Sequence, residues 1–153
     1  MTLEITILVA TMGGTAELAA EEIANYIEDS GGSAKIVRME NATPATLAQG
    51  GLFVICSSTY GTGEVPDNGK PFYAALTHER PDLSEVRYGV MALGDSIYPN
   101  TFAFGGKKFD ALFSELGATR IGDICIHDAR GKIYPEDAAI EWAEAWLEAV
   151  GAH

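Results

Sequence analysis

The hydrophobic and polar positions along the chain follow two periods, one typical of strands and one typical of helices. Short segments that are continuously apolar or alternate between apolar and polar predict five strands, at residues 3–10, 34–39, 52–56, 86–93 and 121–126. Apolar residues spaced three or four positions apart predict helices that begin near Ala16, Pro66, Phe102 and Pro135, with a short one after Pro44. Alternating strands and helices predict an α/β fold, with a parallel sheet and helices on both faces.

The polarity of the strands indicates which of them lie inside the sheet. The first, third and fourth predicted strands contain continuous apolar runs, as expected of strands buried on both faces, whereas the second and fifth alternate. The second and fifth strands are therefore predicted to be the edges. The flavodoxin-like doubly wound order 2-1-3-4-5 has this arrangement in a five-stranded sheet, and its switch point lies between strands one and three.

Composition and charge exclude several classes of protein. The 153 residues, 47% hydrophobic and 21% charged, predict one soluble domain over residues 1–153. No apolar run approaches the roughly 20 residues of a membrane span, and the first residues run directly into a strand without a signal peptide, so a cytoplasmic location is expected. The chain is also expected to be a monomer. The net charge of −12 argues against nucleic acid and favours a basic partner.

The cysteines and histidines do not form a reactive or metal-binding pattern. Cys56 and Cys125 each lie within an apolar strand pattern and are interpreted as small buried residues. The three histidines, His78, His127 and His153, stand far apart in the sequence and are predicted to lie on the surface. Neither a metal site nor a catalytic residue is predicted.

The loop after the first strand has the composition of an anion site. It consists of Thr11, Met12, Gly13, Gly14, Thr15 and Ala16. The glycines allow backbone N–H groups to turn inward, and the helix that follows places its positive dipole end there. Without a lysine the loop is not a nucleotide-hydrolysing P-loop, and without three spaced glycines it is not a dinucleotide fingerprint. It suits a phosphate that is bound and left unreacted, although a simple tight turn is an alternative.

Two further loops follow strands three and four, and each carries a tyrosine. The second loop contains Ser57, Ser58, Thr59, Tyr60, Gly61, Thr62 and Gly63. The third contains Leu93, Gly94, Asp95, Tyr98, Asn100 and Phe102. All three loops are predicted to meet at the carboxyl edge of the sheet, where open α/β sheets bind ligands. A planar ring between Tyr60 and Tyr98, with a phosphate in the first loop, would use all three. An ordinary turn and tyrosines that only pack remain alternatives.

These segments also carry a family resemblance. Residues 11–17, 57–73 and 93–110 resemble the three FMN-binding segments of the flavodoxins. The chain is most similar to MioC-type flavodoxins and to the flavodoxin-like modules of diflavin reductases, and the similarity is most specific at residues 60–68. No long insertion divides the fifth predicted strand, as is typical of short-chain flavodoxins.

The resemblance implies FMN as the cofactor and a role for each segment. Residues 11–16 would hold the phosphate, and residues 57–63 and 93–95 would supply backbone contacts to the ring and ribityl chain. Tyr60 and Tyr98 would stack on opposite faces of the isoalloxazine.

Two departures from the family pattern affect these roles. Gly13 replaces a residue that usually bears a hydroxyl, which removes one phosphate contact. The segment after Tyr98 is one residue longer than the usual Tyr-x-x-Phe, so either Phe102 or Phe104 takes the following aromatic position.

The expected function is that of a one-electron carrier rather than a self-contained enzyme. The resemblance implies an NAD(P)H-dependent flavodoxin reductase and an acceptor redox enzyme as partners, with biotin synthesis as one of several possible pathways. The first alternative is an FMN-dependent NAD(P)H oxidoreductase that acts on a small substrate. The second is a phosphoryl-accepting receiver, but the positions that would need acidic residues hold Thr11 and Ser57.

Overall fold

Strands and helices alternate along the chain in the computed structural model, which describes residues 3–11, 13–59, 64–95 and 103–151. The strands are β1 (Glu4–Ala10), β2 (Ser33–Arg38), β3 (Gly51–Ser57), β4 (Val86–Gly94), β5 (Thr119–Arg120) and β6 (Cys125–Asp128). The α-helices are α1 (Thr15–Asp29), α2 (Lys70–Glu79), α3 (Phe104–Glu115) and α4 (Pro135–Gly151). Short 3-10 turns occupy Met39–Asn41, Pro44–Leu47 and Asp67–Gly69, so the short helix expected after Pro44 is a single 3-10 turn.

The sheet has the predicted parallel order, β2-β1-β3-β4-β5, and β6 pairs with β4 beside β5. β1, β3 and β4 are buried almost throughout, whereas the residues of β2 range from exposed to partly buried. The prediction that β2 is an edge strand is therefore confirmed. The register pairs Ala10 with Ser57 and Ser57 with Ala92, so the three central strands end side by side.

The fifth predicted strand, residues 121–126, has different bounds in the structure because it is divided into β5 and β6. Between two paired positions, β4 advances three residues from Tyr88 to Met91, while the opposing chain advances five from Arg120 to Cys125. Two extra residues are thus accommodated outside the ladder. Gly122 lies in this interruption with a φ of +73°, a left-handed conformation that ends the extended run.

Helices cover both faces of the sheet, as predicted. On one face α1 and α4 pack against alternate residues of β1 and β3, in a core that includes Ile23, Val54 and Trp146. On the other face α2 and α3 bury Phe72 and Phe109 against the sheet. Over the residues that the structure describes, each helix is too short or too polar to span a bilayer.

Candidate cofactor site

The carboxyl ends of β1, β3 and β4 bring the three predicted loops to one edge of the sheet. Ala10, Ser57 and Ala92 lie next to one another in the ladder, so the residues that follow each strand begin from neighbouring positions. The described parts of the loops are therefore close in space, as the strand order predicts.

The first loop leaves open space at the amino end of α1. Gly14 precedes the helix with a φ of +87°, and its N–H donates a 3.0 Å hydrogen bond to the hydroxyl of Thr11. A Cβ added to Gly13 or to Gly14 would meet no atom within 4 Å. The first turn of an α-helix has N–H groups without partners inside the helix, and its dipole favours an anion. The space is therefore a candidate site for a phosphate.

The side chain of Asn68 connects the first loop to the segment after β3 by hydrogen bonds. Its side-chain oxygen accepts a 3.0 Å hydrogen bond from the N–H of Thr11, and its amide nitrogen donates to the carbonyl of Val9 at 3.2 Å. The adjacent Gly69 packs so closely that an added Cβ would lie 3.0 Å from the Cβ of Ala10. Asn68 received no role from the sequence, although it lies in the segment where the family resemblance is most specific.

Two hydroxyls of the second loop donate hydrogen bonds to backbone carbonyls. Thr59 donates to the carbonyl of Leu93 at 2.9 Å and accepts from the N–H of Gly105 at 2.9 Å, so it connects the ends of β3 and β4 to the start of α3. The buried hydroxyl of Ser57 donates to the carbonyl of Ser58 at 2.9 Å. A Cβ on Gly105 would collide with that carbonyl oxygen. These side chains shape the site.

A cleft of about 590 Å³ opens beside these loops, within the usual range for small-molecule sites. Six of the predicted site residues line it: Thr15, Ser58, Thr59, Leu93, Gly94 and Asp95. The opposite side was not predicted and consists of His127, Ala129, Gly131, Lys132, Ile133, Tyr134 and Pro135. A signal was available, because a fifth parallel strand must also end at this edge of the sheet.

His127 is buried, so its prediction as a surface residue was wrong. It lies on β6 opposite Leu93 of β4, and its Nε2 is 2.8 Å from the carbonyl oxygen of Ile133. The chain after β6 folds back over the ring, and the hydrogen bond compensates for removing the polar group from water. Because a carbonyl only accepts, Nε2 carries the proton in this bond.

A carboxylate beside the anion site is neutralised by an arginine. Glu17, in the first turn of α1, is bound by both Nε and Nη2 of Arg38 at 2.6 and 2.7 Å. The hydrogen bonds to Glu17 raise the pKa of the Arg38 guanidinium. A bidentate pair has a fixed geometry, so the negative charge stays compensated close to the open space at Gly13 and Gly14.

Of the remaining predicted site residues, the structure describes two, Ala16 and Phe104, and the others lie outside the described residues. Ala16 faces the core, where the thiol of Cys56 donates to its carbonyl at 3.2 Å, so only its backbone N–H could serve an anion. Phe104 begins α3 with a partly exposed ring and does not line the cleft. The predicted site residues that lie outside the described residues are Met12, Tyr60, Gly61, Thr62, Gly63, Tyr98, Asn100 and Phe102.

Comparison with known proteins shows that the chain is similar to the flavodoxins. The model of the flavodoxin family matches residues 7–142. The chain is 42% identical to Flavodoxin YqcA of Pectobacterium carotovorum subsp. carotovorum over 151 residues, which are 97% of this chain and 98% of the relative. It is 33% identical to Protein MioC of Escherichia coli K12, covering 94% of this chain and 96% of the relative. A solved flavodoxin from Pseudomonas aeruginosa, a variant with one cysteine replaced by serine, superposes with a TM-score of 0.87 at 31% identity, covering 97% and 99% of the two chains.

Proposed function

The chain belongs to the flavodoxin family, and we propose that it carries single electrons from an NAD(P)H-dependent flavodoxin reductase to an acceptor redox enzyme. FMN is the cofactor of this family and, when bound, supplies the electron transfer. The protein provides the binding site, the orientation of the ring and the electrostatic environment.

The observation that carries the proposal is the continuity of the anion site with the cleft. Thr15 belongs to both, because it is the first residue of α1 and also lines the cleft. A ligand with a phosphate at one end and a planar ring at the other matches this arrangement. Residues 11–16 would hold the phosphate, and residues 57–63 and 93–95 would contact the ring and the ribityl chain. Tyr60 and Tyr98 are proposed to stack on the ring.

Two ionisable side chains that line the cleft, Asp95 and His127, are bound to other parts of the protein. The carboxylate of Asp95 forms an ion pair with Arg130, with 2.9 Å between Oδ1 and Nε. The ring of His127 is bound to the carbonyl of Ile133. These two groups, which could otherwise serve as acid or base, are engaged in contacts that hold the cleft together. For these two groups a role in shaping the site, as a carrier requires, is favoured over a role in proton transfer to a substrate.

The charge of the chain indicates what its partners present. At a net charge of −12, attraction over a distance favours a reductase and an acceptor whose docking faces are basic. Association with both should weaken as the salt concentration rises, because ions screen exposed charges.

A stepwise anaerobic reduction of the FMN-loaded protein, followed by absorption spectroscopy, tests the function. Two successive one-electron steps at separate potentials would support a single-electron carrier. A single two-electron step, together with rapid oxidation of NADPH without a reductase, would favour the FMN-dependent oxidoreductase. A purified protein that FMN cannot reconstitute would contradict both.

A further inference from the structure

The sheet loses one hydrogen-bonding partner just before the candidate phosphate site in front of α1. β2 pairs with β1 as far as Arg38 opposite Val9, and at Met39 the chain enters a 3-10 turn. If the ladder continued, the next residue of β2 would bond the carbonyl of Val9 and the N–H of Thr11. Where β2 ends, these two main-chain groups need another partner.

The alternation of β1 shows which way these groups point. The carbonyl of Leu3 accepts a 2.7 Å hydrogen bond from the N–H of Ser33, at the start of β2. Residues at even separations along a strand direct their main-chain groups to the same neighbour, so Val9, six residues after Leu3, also faces β2. The adjacent Ala10 faces the other neighbour, since its carbonyl accepts a 2.8 Å hydrogen bond from the N–H of Ser58, which follows β3.

The carboxamide of Asn68 takes the place of the missing ladder residue. Its nitrogen donates to the carbonyl of Val9 at 3.2 Å, and its oxygen accepts from the N–H of Thr11 at 3.0 Å. A residue of a parallel ladder makes the same pair of bonds with its own N–H and C=O. The partners also determine the orientation of the carboxamide, because a backbone N–H only donates and a carbonyl only accepts. Asn68 thus extends the hydrogen bonding of β1 by one step, to Thr11.

The backbone that carries Asn68 is packed directly against β1. Asn68 is the middle residue of the 3-10 turn Asp67–Gly69, in which the N–H of Gly69 donates to the carbonyl of Pro66 at 2.8 Å. A Cβ added to Gly69 would lie only 3.0 Å from the Cβ of Ala10, so the absence of a side chain permits this close approach. Both partners on β1 are therefore within reach of one short side chain.

The contacts of Asn68 continue into the first loop. Thr11, whose N–H is bound by Asn68, accepts on its hydroxyl oxygen a 3.0 Å hydrogen bond from the N–H of Gly14. Gly14 is the residue before α1, so its position affects where the first N–H groups of the helix point. A chain of hydrogen bonds thus connects Asn68, through Thr11, to the amino end of α1.

We propose that Asn68 is a positioning residue of the candidate phosphate site, which holds the first loop in the conformation that binds the phosphate of FMN. The inference rests on the proposed function, because it takes FMN to be the ligand. Asn68 acts through Thr11 and Gly14 and does not itself need to touch the phosphate. A loop that already has its binding conformation loses less freedom when the ligand binds, so the ligand is bound more tightly.

The test compares binding of FMN with binding of riboflavin, which has the same ring and no phosphate, by fluorescence titration of the apoprotein. Asn68→Ala and Asn68→Leu both remove the carboxamide, and leucine has a similar size to asparagine. Each variant should raise the Kd for FMN about five- to tenfold, the factor that corresponds to about one net hydrogen bond. Each should leave the Kd for riboflavin unchanged, because the first loop would bind only the phosphate.

Inorganic phosphate provides a readout that needs no flavin. A ligand that binds the folded apoprotein raises its Tm by mass action, so added phosphate should raise the Tm of wild type more than that of Asn68→Ala or Asn68→Leu. The general effect of the salt on stability would be the same in all three proteins and cancels in the comparison. An equal rise in Tm for wild type and both variants would overturn the proposal.

A matched control is available at the other end of the sheet. The hydroxyl of Tyr88 donates a 2.7 Å hydrogen bond to Asp110, and Tyr88 lies near the start of β4, whereas Gly94, which lines the cleft, ends that strand. Tyr88→Phe should lower the Tm of the apoprotein by about 2–4 °C and leave the Kd for both flavins unchanged. If Tyr88→Phe weakens FMN binding as much as Asn68→Ala does, a general loss of stability explains the effect and the proposal is wrong.

The outcomes separate this inference from the proposed function. If wild-type protein does not bind FMN, the proposed function fails and the role of Asn68 with it. If wild type binds FMN and both Asn68 variants bind it with the wild-type Kd, the positioning role is wrong while the proposed function stands. The positioning role is also wrong if the Kd rises equally for FMN and riboflavin, or if Asn68→Ala weakens FMN binding and Asn68→Leu does not, since the side chain would then act only by packing.

Discussion

Replacing Gly14 by alanine isolates the cost of the left-handed backbone at the start of α1. The φ of Gly14 is +87°, and an added Cβ would meet no atom within 4 Å, so no clash contributes. An L-residue in the left-handed region costs about 1–2 kcal/mol, and the lower entropy of the unfolded chain offsets about 0.4–1 kcal/mol of that. We expect a net loss of about 1 kcal/mol, which lowers the Tm of a chain of this length by about 2–4 °C.

The neighbouring glycine provides the control. Gly13 also has open space around an added Cβ, but its φ lies outside the left-handed region. Gly13→Ala should therefore leave the free energy of unfolding unchanged or raise it by up to about 1 kcal/mol. Both methyl groups would project into the space proposed for the phosphate, so both variants should bind FMN more weakly. Urea unfolding of the apoproteins and titration with FMN measure the two effects separately.

Two results would refute this reasoning. Equal destabilisation by Gly13→Ala and Gly14→Ala would show that the backbone conformation of Gly14 is not the cause. Wild-type affinity for FMN in both variants would show that the phosphate does not bind in front of α1. A loss of affinity without loss of stability in Gly13→Ala is the combination that the structure predicts.

Three further predictions concern the electrostatics, the loop connections and the pH dependence. Glu17→Gln should lower the Kd for FMN about two- to fivefold, because it removes a carboxylate beside the candidate anion site. Arg38→Gln should raise the Kd by a similar factor, because the carboxylate of Glu17 is then uncompensated. Changes of the same sign for both variants in a fluorescence titration would contradict this reasoning. Thr59→Val should lower the free energy of urea unfolding of the apoprotein by about 1–3 kcal/mol, because two hydrogen bonds are lost. Thr59→Ser keeps the hydroxyl and should retain most of the wild-type stability. Equal losses in the two variants would contradict the role of the hydroxyl. Burial raises the pKa of the Cys56 thiol, so above about pH 9 the unfolded chain loses a proton that the folded chain keeps. The free energy of unfolding should therefore fall, by up to about 1.4 kcal/mol for each pH unit above that value. Cys56→Ala should show a shallower fall between about pH 9 and 10.5, and an unchanged slope would refute the assignment.

The order of the sheet could be predicted from hydropathy because burial on both faces leaves a direct mark on the sequence. Val54 and Ile55 are adjacent in β3, face opposite sides of the sheet and are both completely buried, which requires a continuous apolar run. The division between β5 and β6 leaves no such mark. It depends on the conformation of Gly122 and on the register against β4, neither of which hydropathy expresses.

The glycine and hydroxyl positions of the site could be predicted from local sequence, but their connections could not. Gly14 lies two residues before a predicted helix and Thr59 three residues after a predicted strand, so the predicted topology places them. The hydrogen bond between Thr11 and Asn68 joins residues 57 positions apart, and only the folded chain reveals it. The prediction that His127 lies on the surface was wrong because histidine is polar and polar side chains are usually exposed. Its burial is made possible by the hydrogen bond to the carbonyl of Ile133, which the sequence does not reveal.

The hydrogen bonds of the loops also explain how an acidic protein can bind an anionic cofactor. The hydroxyls of Ser57 and Thr59 bind protein carbonyls, and the candidate phosphate site in front of α1 offers backbone N–H groups and the helix dipole. The first loop contains no lysine or arginine, and Arg38 compensates the nearby Glu17. Because backbone N–H groups attract a phosphate without adding a formal charge, the surface can remain strongly negative. The basic partner proposed above could then approach the edge of the sheet at which the cofactor is proposed to bind.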